Sequence, residues 1–95
     1  MKNYELMLIY RISLGEESAK KLSSEISKLL SAMGGLVADS NFWGKRKFAY
    51  EIKHDKEGFY DVMKFQLTPE KIQDLKTKMG LMTGVVRYLV TAKDS

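Results

Sequence analysis

Arg46-Lys47-Phe48-Ala49-Tyr50-Glu51-Ile52-Lys53, then His54-Asp55-Lys56-Glu57-Gly58, then Phe59-Tyr60-Asp61-Val62-Met63-Lys64-Phe65-Gln66-Leu67, is the stretch on which the fold turns. In the first part Arg46, Phe48, Tyr50 and Ile52 alternate with Lys47, Ala49, Glu51 and Lys53, which is the period of two of a β-strand. The middle part is a polar turn. In the last part Phe59, Met63, Phe65 and Leu67 fall in one register, which again reads as a strand. Two strands joined directly by a turn form a hairpin. Asp61 interrupts the apolar register, and its simplest placement is near an edge or end of the sheet. Upstream the extended run reaches back to Leu36, with an irregular patch from Asn41 to Gly44 where glycine suggests a bulge or bend.

On each side of the hairpin lies a helix and then a strand. Ala19, Leu22, Ile26, Leu29, Leu30 and Met33 recur at helical spacing, with Lys20, Lys21, Ser24, Glu25 and Lys28 on the opposite side. Ser13 and Glu16 have capping-box spacing at its start, and Gly34-Gly35 marks its end. Thr68-Pro69-Glu70 opens a second helix: Thr as cap, Pro at the first helical position, Glu facing the helix dipole. Ile72, Leu75 and Met79 give that helix a narrow apolar stripe, and Gly80 is its expected cap. The first and last strands of the sequence are Tyr4 to Tyr10 and Val85 to Val90. In the first, Tyr4, Leu6, Leu8 and Tyr10 share one face, and Glu5, Met7 and Ile9 the other, as expected of a central strand.

The order is strand, helix, strand, strand, helix, strand. Two right-handed crossovers around a hairpin give the split β-α-β-β-α-β arrangement of the ferredoxin-like α+β fold. It predicts a four-stranded antiparallel sheet with both helices on one face, the first and third strands central, and the other face open. Ninety-five residues without linker or repeat make one domain, 1–95.

Composition removes whole classes of chemistry. There is no Cys and one His, so disulfides, thiolate zinc sites, thiol nucleophiles and multi-histidine metal sites are excluded. His54 reads as a solvated turn histidine with no nucleophile paired to it. Glu16 and Glu17 sit where the helix dipole explains them. No Gly-rich loop opens a helix to cradle phosphate. We therefore expect no catalytic residue, no metal, no cofactor and no small-molecule substrate. The longest apolar run near the start, Leu6 to Tyr10, is too short for a membrane helix or signal-peptide core, so the expected location is the cytoplasm.

Sixteen basic residues against twelve acidic give a net charge of +4, a mild preference for polyanions. The concentrated part is Lys45-Arg46-Lys47, with Phe42-Trp43 before it and Phe48-Ala49-Tyr50 after. Clustered cations gain affinity for a phosphate backbone by counterion release. Edge strands also carry lysines to block edge-to-edge aggregation. Composition leaves both readings open. Arg87 is either a ligand contact on the open face or a solvated charge, and Trp43 either an interface anchor or, as we read it, packed beside the Gly44 bend. An RNA-recognition motif has the same element order and stacks bases on aromatics in its central strands. Gly58-Phe59-Tyr60-Asp61-Val62 partly resembles its motif, but Asp61 offers no ring at a stacking position.

From Gly44 to Lys53 the chain resembles the signature of the small-subunit ribosomal protein six family. The glycine, the base at Arg46, the Ala49-Tyr50 pair and Ile52 followed by a base match, while Phe48 stands where the family usually has Leu. Tyr4-Glu5, Gly58 with its aromatic strand, Pro69-Glu70 and the closing strand with Arg87 match in the same order. Val86 departs, since a basic residue often stands there. The resemblance implies a non-enzymatic protein that binds the central domain of 16S ribosomal RNA jointly with small-subunit ribosomal protein eighteen. Carried over, Arg46 and Lys47 of the Lys45–Lys47 run are RNA-backbone contacts, with Lys2, Tyr4 and Arg87 as further candidates. The partner surface is placed on the second-strand edge and hairpin, at Phe48, Tyr50 and Tyr60. The alternative is a protein-interaction module that uses its free sheet edge.

Overall fold

The computed structural model describes residues 1–52 and 55–93, apart from the side chains of 49–52 and 55. The chain runs β1 (Lys2–Arg11), a 3-10 turn (Ile12–Leu14), α1 (Glu16–Ala32), β2 (Leu36–Ile52), β3 (Asp55–Leu67), a second 3-10 turn (Pro69–Lys71), α2 (Ile72–Gly80) and β4 (Val85–Ala92). The four strands form one antiparallel sheet in the order β2-β3-β1-β4. This is the ferredoxin-like arrangement expected, with β1 and β3 inside and β2 and β4 at the edges.

Alternation decides what lies under the helices. Tyr4, Leu6, Leu8 and Tyr10 of β1 stand opposite Phe65, Met63, Asp61 and Phe59 of β3. This face is buried with Ala19, Ile26 and Leu30 of α1 and with Leu75 and Met79 of α2 in one core. Each Leu, Ile, Phe or Met side chain so buried stabilises by roughly 1.5–3 kcal/mol. The other face of the sheet has no helix on it.

Several local expectations are corrected. No side-chain hydrogen bond caps α1 at Ser13; the helix starts at Glu16 after Gly15, with Glu16 and Glu17 in its first turn. Thr68 has the extended backbone of a cap but its hydroxyl makes no capping bond, and Pro69 opens a 3-10 turn instead of the α-helix itself. The end of α1 is held from outside: the Lys71 ammonium donates to the Met33 carbonyl at 2.7 Å. The hairpin turn is shorter than expected, because β3 begins at Asp55 and Glu57 and Gly58 already pair with Lys47 and Arg46. Lys53 and His54 lie outside the described residues.

Asp61 is the largest departure. It is fully buried in the middle of a central strand, not at an edge, and faces the helices. The Tyr10 hydroxyl donates to its Oδ2, while Oδ1 has no partner among the described residues. Burial first, and then the hydrogen bond and charge of Asp61, push the Tyr10 phenol well above its ordinary range, with the Ser23 hydroxyl acting in the opposite sense. The same placement removes Asp61 from the open face. The stacking position assigned to it by likeness to an RNA-recognition motif does not exist there.

Candidate nucleic-acid interface

The open face can be read off the register. One row across the sheet is Gly44, Tyr60, Ile9 and Arg87; the next toward the hairpin is Arg46, Gly58 and Arg11. Behind them runs a row of Asn41, Val62, Met7 and Leu89. Arg46, Arg87 and Arg11 therefore share one face at one end of the sheet. Arg46 and Arg87 are exposed, and Arg11 is half-buried.

Gly58 holds this end together. A Cβ there would lie 2.7 Å from Ile9 Cγ2, 2.8 Å from the Phe48 ring and 3.0 Å from the Tyr10 carbonyl. The absent side chain is the space that lets Phe48 fold over the sheet. Its ring centroid stands 6.0 Å from that of Tyr60, and Ile9, though on the open face, is only 6% exposed. Phe48, Tyr60 and Ile9 thus form an apolar patch among arginines. Tyr50 belongs to β2, but its side chain is outside the described residues.

The edge strand changes register at Trp43. Phe42 is opposite Asp61 and Gly44 is opposite Tyr60, so Trp43 is the extra residue of a bulge. Gly44 has φ +88°, in the region that favours glycine. The bulge is where the sequence placed it. Trp43 is not packed as expected: it is 45% exposed, because the inserted position points to no partner row. Phe42, in contrast, lies beside the rings of Tyr10 and Phe59, with the Lys20 ammonium 5.8 Å from its centroid.

All three residues of the Lys45–Lys47 run are exposed. Lys45 stands 3.7 Å from the carboxylate of Glu57. Arg46 donates to the neighbouring Lys45 carbonyl at 2.9 Å. Among the described residues neither Arg46 nor Lys47 has a carboxylate partner. Two of the three cations are thus left for an external anion.

The remaining candidates are not gathered here. Lys2 is exposed at the far end of β1, roughly 30 Å along the strand from Arg11 at about 3.4 Å per residue. Tyr4 is corrected outright: it is 8% exposed and stacks on Phe65 at 5.5 Å beneath the helices, so it is core and leaves the candidate site. Val86, at the position where a base was expected, is buried. Arg11 was overlooked, although its parity with Met7 and Ile9 places it on the open face by alternation alone. No group of acidic or histidine side chains able to hold a metal occurs among the described residues, and none of their helices is long and apolar enough to cross a membrane.

Comparison with known proteins bears on this arrangement. A family model described as ribosomal protein S6 matches residues 3–92. The small ribosomal subunit protein bS6 of Fusobacterium nucleatum is 34% identical over 94 residues, 99% of this chain and all of that protein. The protein of the same name from Symbiobacterium thermophilum is 39% identical over 90 residues, 95% of each. The crystal structure of 30S ribosomal protein S6 from Thermotoga maritima superposes with a TM-score of 0.92 at 28% identity, covering 97% of this chain and 87% of that one. The C-terminal domain of the MgtC protein from Mycobacterium tuberculosis, at 16% identity and a TM-score of 0.65, shares the fold alone.

Proposed function

The chain belongs to the ribosomal protein S6 family, non-catalytic RNA-binding proteins of the ribosome, and we propose that it binds the central domain of 16S ribosomal RNA jointly with small-subunit ribosomal protein eighteen, in the cytoplasm. The observation that carries this reading is the exposed Lys45–Lys47 run on the edge strand, with two cations that lack a carboxylate partner. Such cations replace condensed counterions on a phosphate backbone and position a protein without reading bases. Arg46 faces the same side of the sheet as Arg11 and Arg87. Together they extend the basic surface across three strands. Lys2 serves as a separate, distant contact.

The apolar patch of Phe48 and Tyr60, with Ile9 beneath it, suits a protein better than RNA. It has little hydrogen-bonding capacity and stands on a rigid sheet. We assign it to the partner protein, with Tyr50 following from its place on β2. The reading in which the chain is only a protein-interaction module uses the same patch but leaves the arginines without a role.

The test is sedimentation of the tagged chain from growing cells. It should travel with small ribosomal subunits and leave them when salt is raised. Recovery only in the ribosome-free fraction would remove the ribosomal assignment. A partner-protein complex that forms without any salt-sensitive affinity for RNA would favour the interaction module.

A further inference from the structure

We propose that Trp43 is a stacking platform for one unpaired RNA base, held at the point where the edge strand meets the cationic run. The inference rests on the RNA-binding reading above and names the chemistry of one contact within it. It begins with a side chain that the fold does not use. Trp43 is the only tryptophan of the chain and is 45% exposed. Among the described residues no other ring stacks on it and no cation lies over it. It is the inserted residue of the bulge, outside the alternation that fixes its neighbours, and the positive φ of Gly44 keeps that bulge in place.

Its surroundings choose the occupant. Ser40 and Asn41 before it are exposed and polar, and Lys45, Arg46 and Lys47 after it are exposed and basic. Lysine is depleted from the cores of protein interfaces, and two of the three exposed cations that follow Trp43 are lysines, so the setting favours a polyanion over an apolar partner. A single-stranded nucleotide fits it well. An aromatic face stacks on a base whatever its identity, while nearby cations take the flanking phosphates. In an extended strand Lys45 and Lys47 lie roughly 7 and 13 Å from Trp43 on its C-terminal side, within reach of the phosphates that follow on from one stacked nucleotide.

The lone tryptophan reports on itself. The full-length chain, with and without its partner protein, is titrated with a 16S central-domain RNA fragment while tryptophan emission is followed. Base stacking should quench the emission when RNA is added. Trp43→Ala should weaken RNA binding roughly five- to 150-fold, the range for loss of one stacked base. Its log-affinity against log-salt slope should stay that of the natural chain, because no phosphate contact is removed. Trp43→Phe keeps a π-face and should lose less, and it guards against a folding defect in the alanine variant. RNA binding with unchanged emission and no loss in Trp43→Ala would overturn the stacking role alone. A blue shift on adding the partner protein without RNA, with no quenching when RNA follows, would overturn it in favour of a protein anchor. Absence of any binding to the fragment, partner present, would overturn the RNA reading and this inference with it.

Discussion

At the scale of single residues, the chain separates side chains that hold the fold from side chains that meet a partner. Tyr10 and Asp61 are of the first kind, both fully buried. Tyr10→Phe strands the second oxygen of a carboxyl whose first is already without a partner, which costs about 1–3 kcal/mol. Adding Asp61→Leu removes the stranded group, so the double variant should be more stable than Tyr10→Phe alone in denaturant unfolding. Equal or lower stability of the double variant would show that the pair contributes more than its polar satisfaction. The pH dependence has a definite sign. The Tyr10 phenol is pushed above its ordinary value of 10.0 in the fold, so the unfolded chain loses that proton first. Its contribution is intact below pH 10 and declines above it, by up to about 1.4 kcal/mol per pH unit; Tyr10→Phe should flatten that alkaline limb. Arg46 and Lys47 are exposed and are proposed to be of the second kind. Replacing both with Ala should leave stability within about 0.5 kcal/mol per site. It should flatten the log-affinity against log-salt line for RNA by up to about two units. An unchanged slope with new self-association at high concentration would make them guards of the β2 edge instead.

At the scale of elements, the β2–β3 hairpin carries the site, and two glycines set its shape. Gly58→Ala puts a methyl group against the Phe48 ring, Ile9 and the Tyr10 carbonyl. It should destabilise by roughly 1–3 kcal/mol and loosen Phe48 from Tyr60. Gly44→Ala meets no neighbour but must hold a positive φ, at a cost of roughly 1–2 kcal/mol. Urea unfolding of the two variants separates a packing defect from a backbone one. Cutting Phe48 to Ala should cost less in the Gly58→Ala background than in the natural chain, because it removes one of the three close contacts, and should cost the same in the Gly44→Ala background. This hairpin shows what the sequence discloses. The order of elements, the edge position of β2 and the bulge at Gly44 followed from periodicity and glycine, because period and turn chemistry are local. The capping hydroxyls of Ser13 and Thr68 were not used: Ser13 lies inside a 3-10 turn, and Thr68 precedes one that separates it from α2. Asp61 was misplaced because a buried carboxyl is tolerated only when a partner distant in sequence satisfies it, here Tyr10 across the sheet. Of the candidate site, Arg46 and Arg87 could be assigned to the open face by parity, as could Arg11. Tyr4 had the same parity argument against it, since it shares the face of Leu6 and Leu8. Trp43 was read as packed, and is exposed, because a bulge suspends the alternation on which such assignments depend.

At the scale of the molecule, charge and apolar surface are arranged so that neither suffices alone. The net charge is only +4, and Glu57 offsets one of the three clustered cations. Arg46, Arg87 and Arg11 gather at one end of the open face, while Lys2 stands at the other end of β1. Between the arginines lies the Phe48–Tyr60–Ile9 patch, proposed above as the seat of the partner protein. A few phosphate contacts give weak, salt-sensitive affinity. A second protein seated on the patch, as proposed above, would add its own contacts to the same RNA and so raise the affinity of both. The expected result is that the isolated chain binds a 16S central-domain fragment weakly, and that small-subunit ribosomal protein eighteen tightens it roughly five- to 150-fold, the span of a coupling of about 1–3 kcal/mol. Linkage requires that this chain tighten the partner's RNA binding by the same factor. Calorimetric titration in both orders measures the two factors. Phe48→Ala with Tyr60→Ala should lower the coupling while leaving the salt slope of the isolated chain intact, whereas the Arg46 and Lys47 double variant should do the reverse. If the chain alone binds the fragment as tightly as the two proteins together, the patch has no part in RNA binding and joint recognition is wrong.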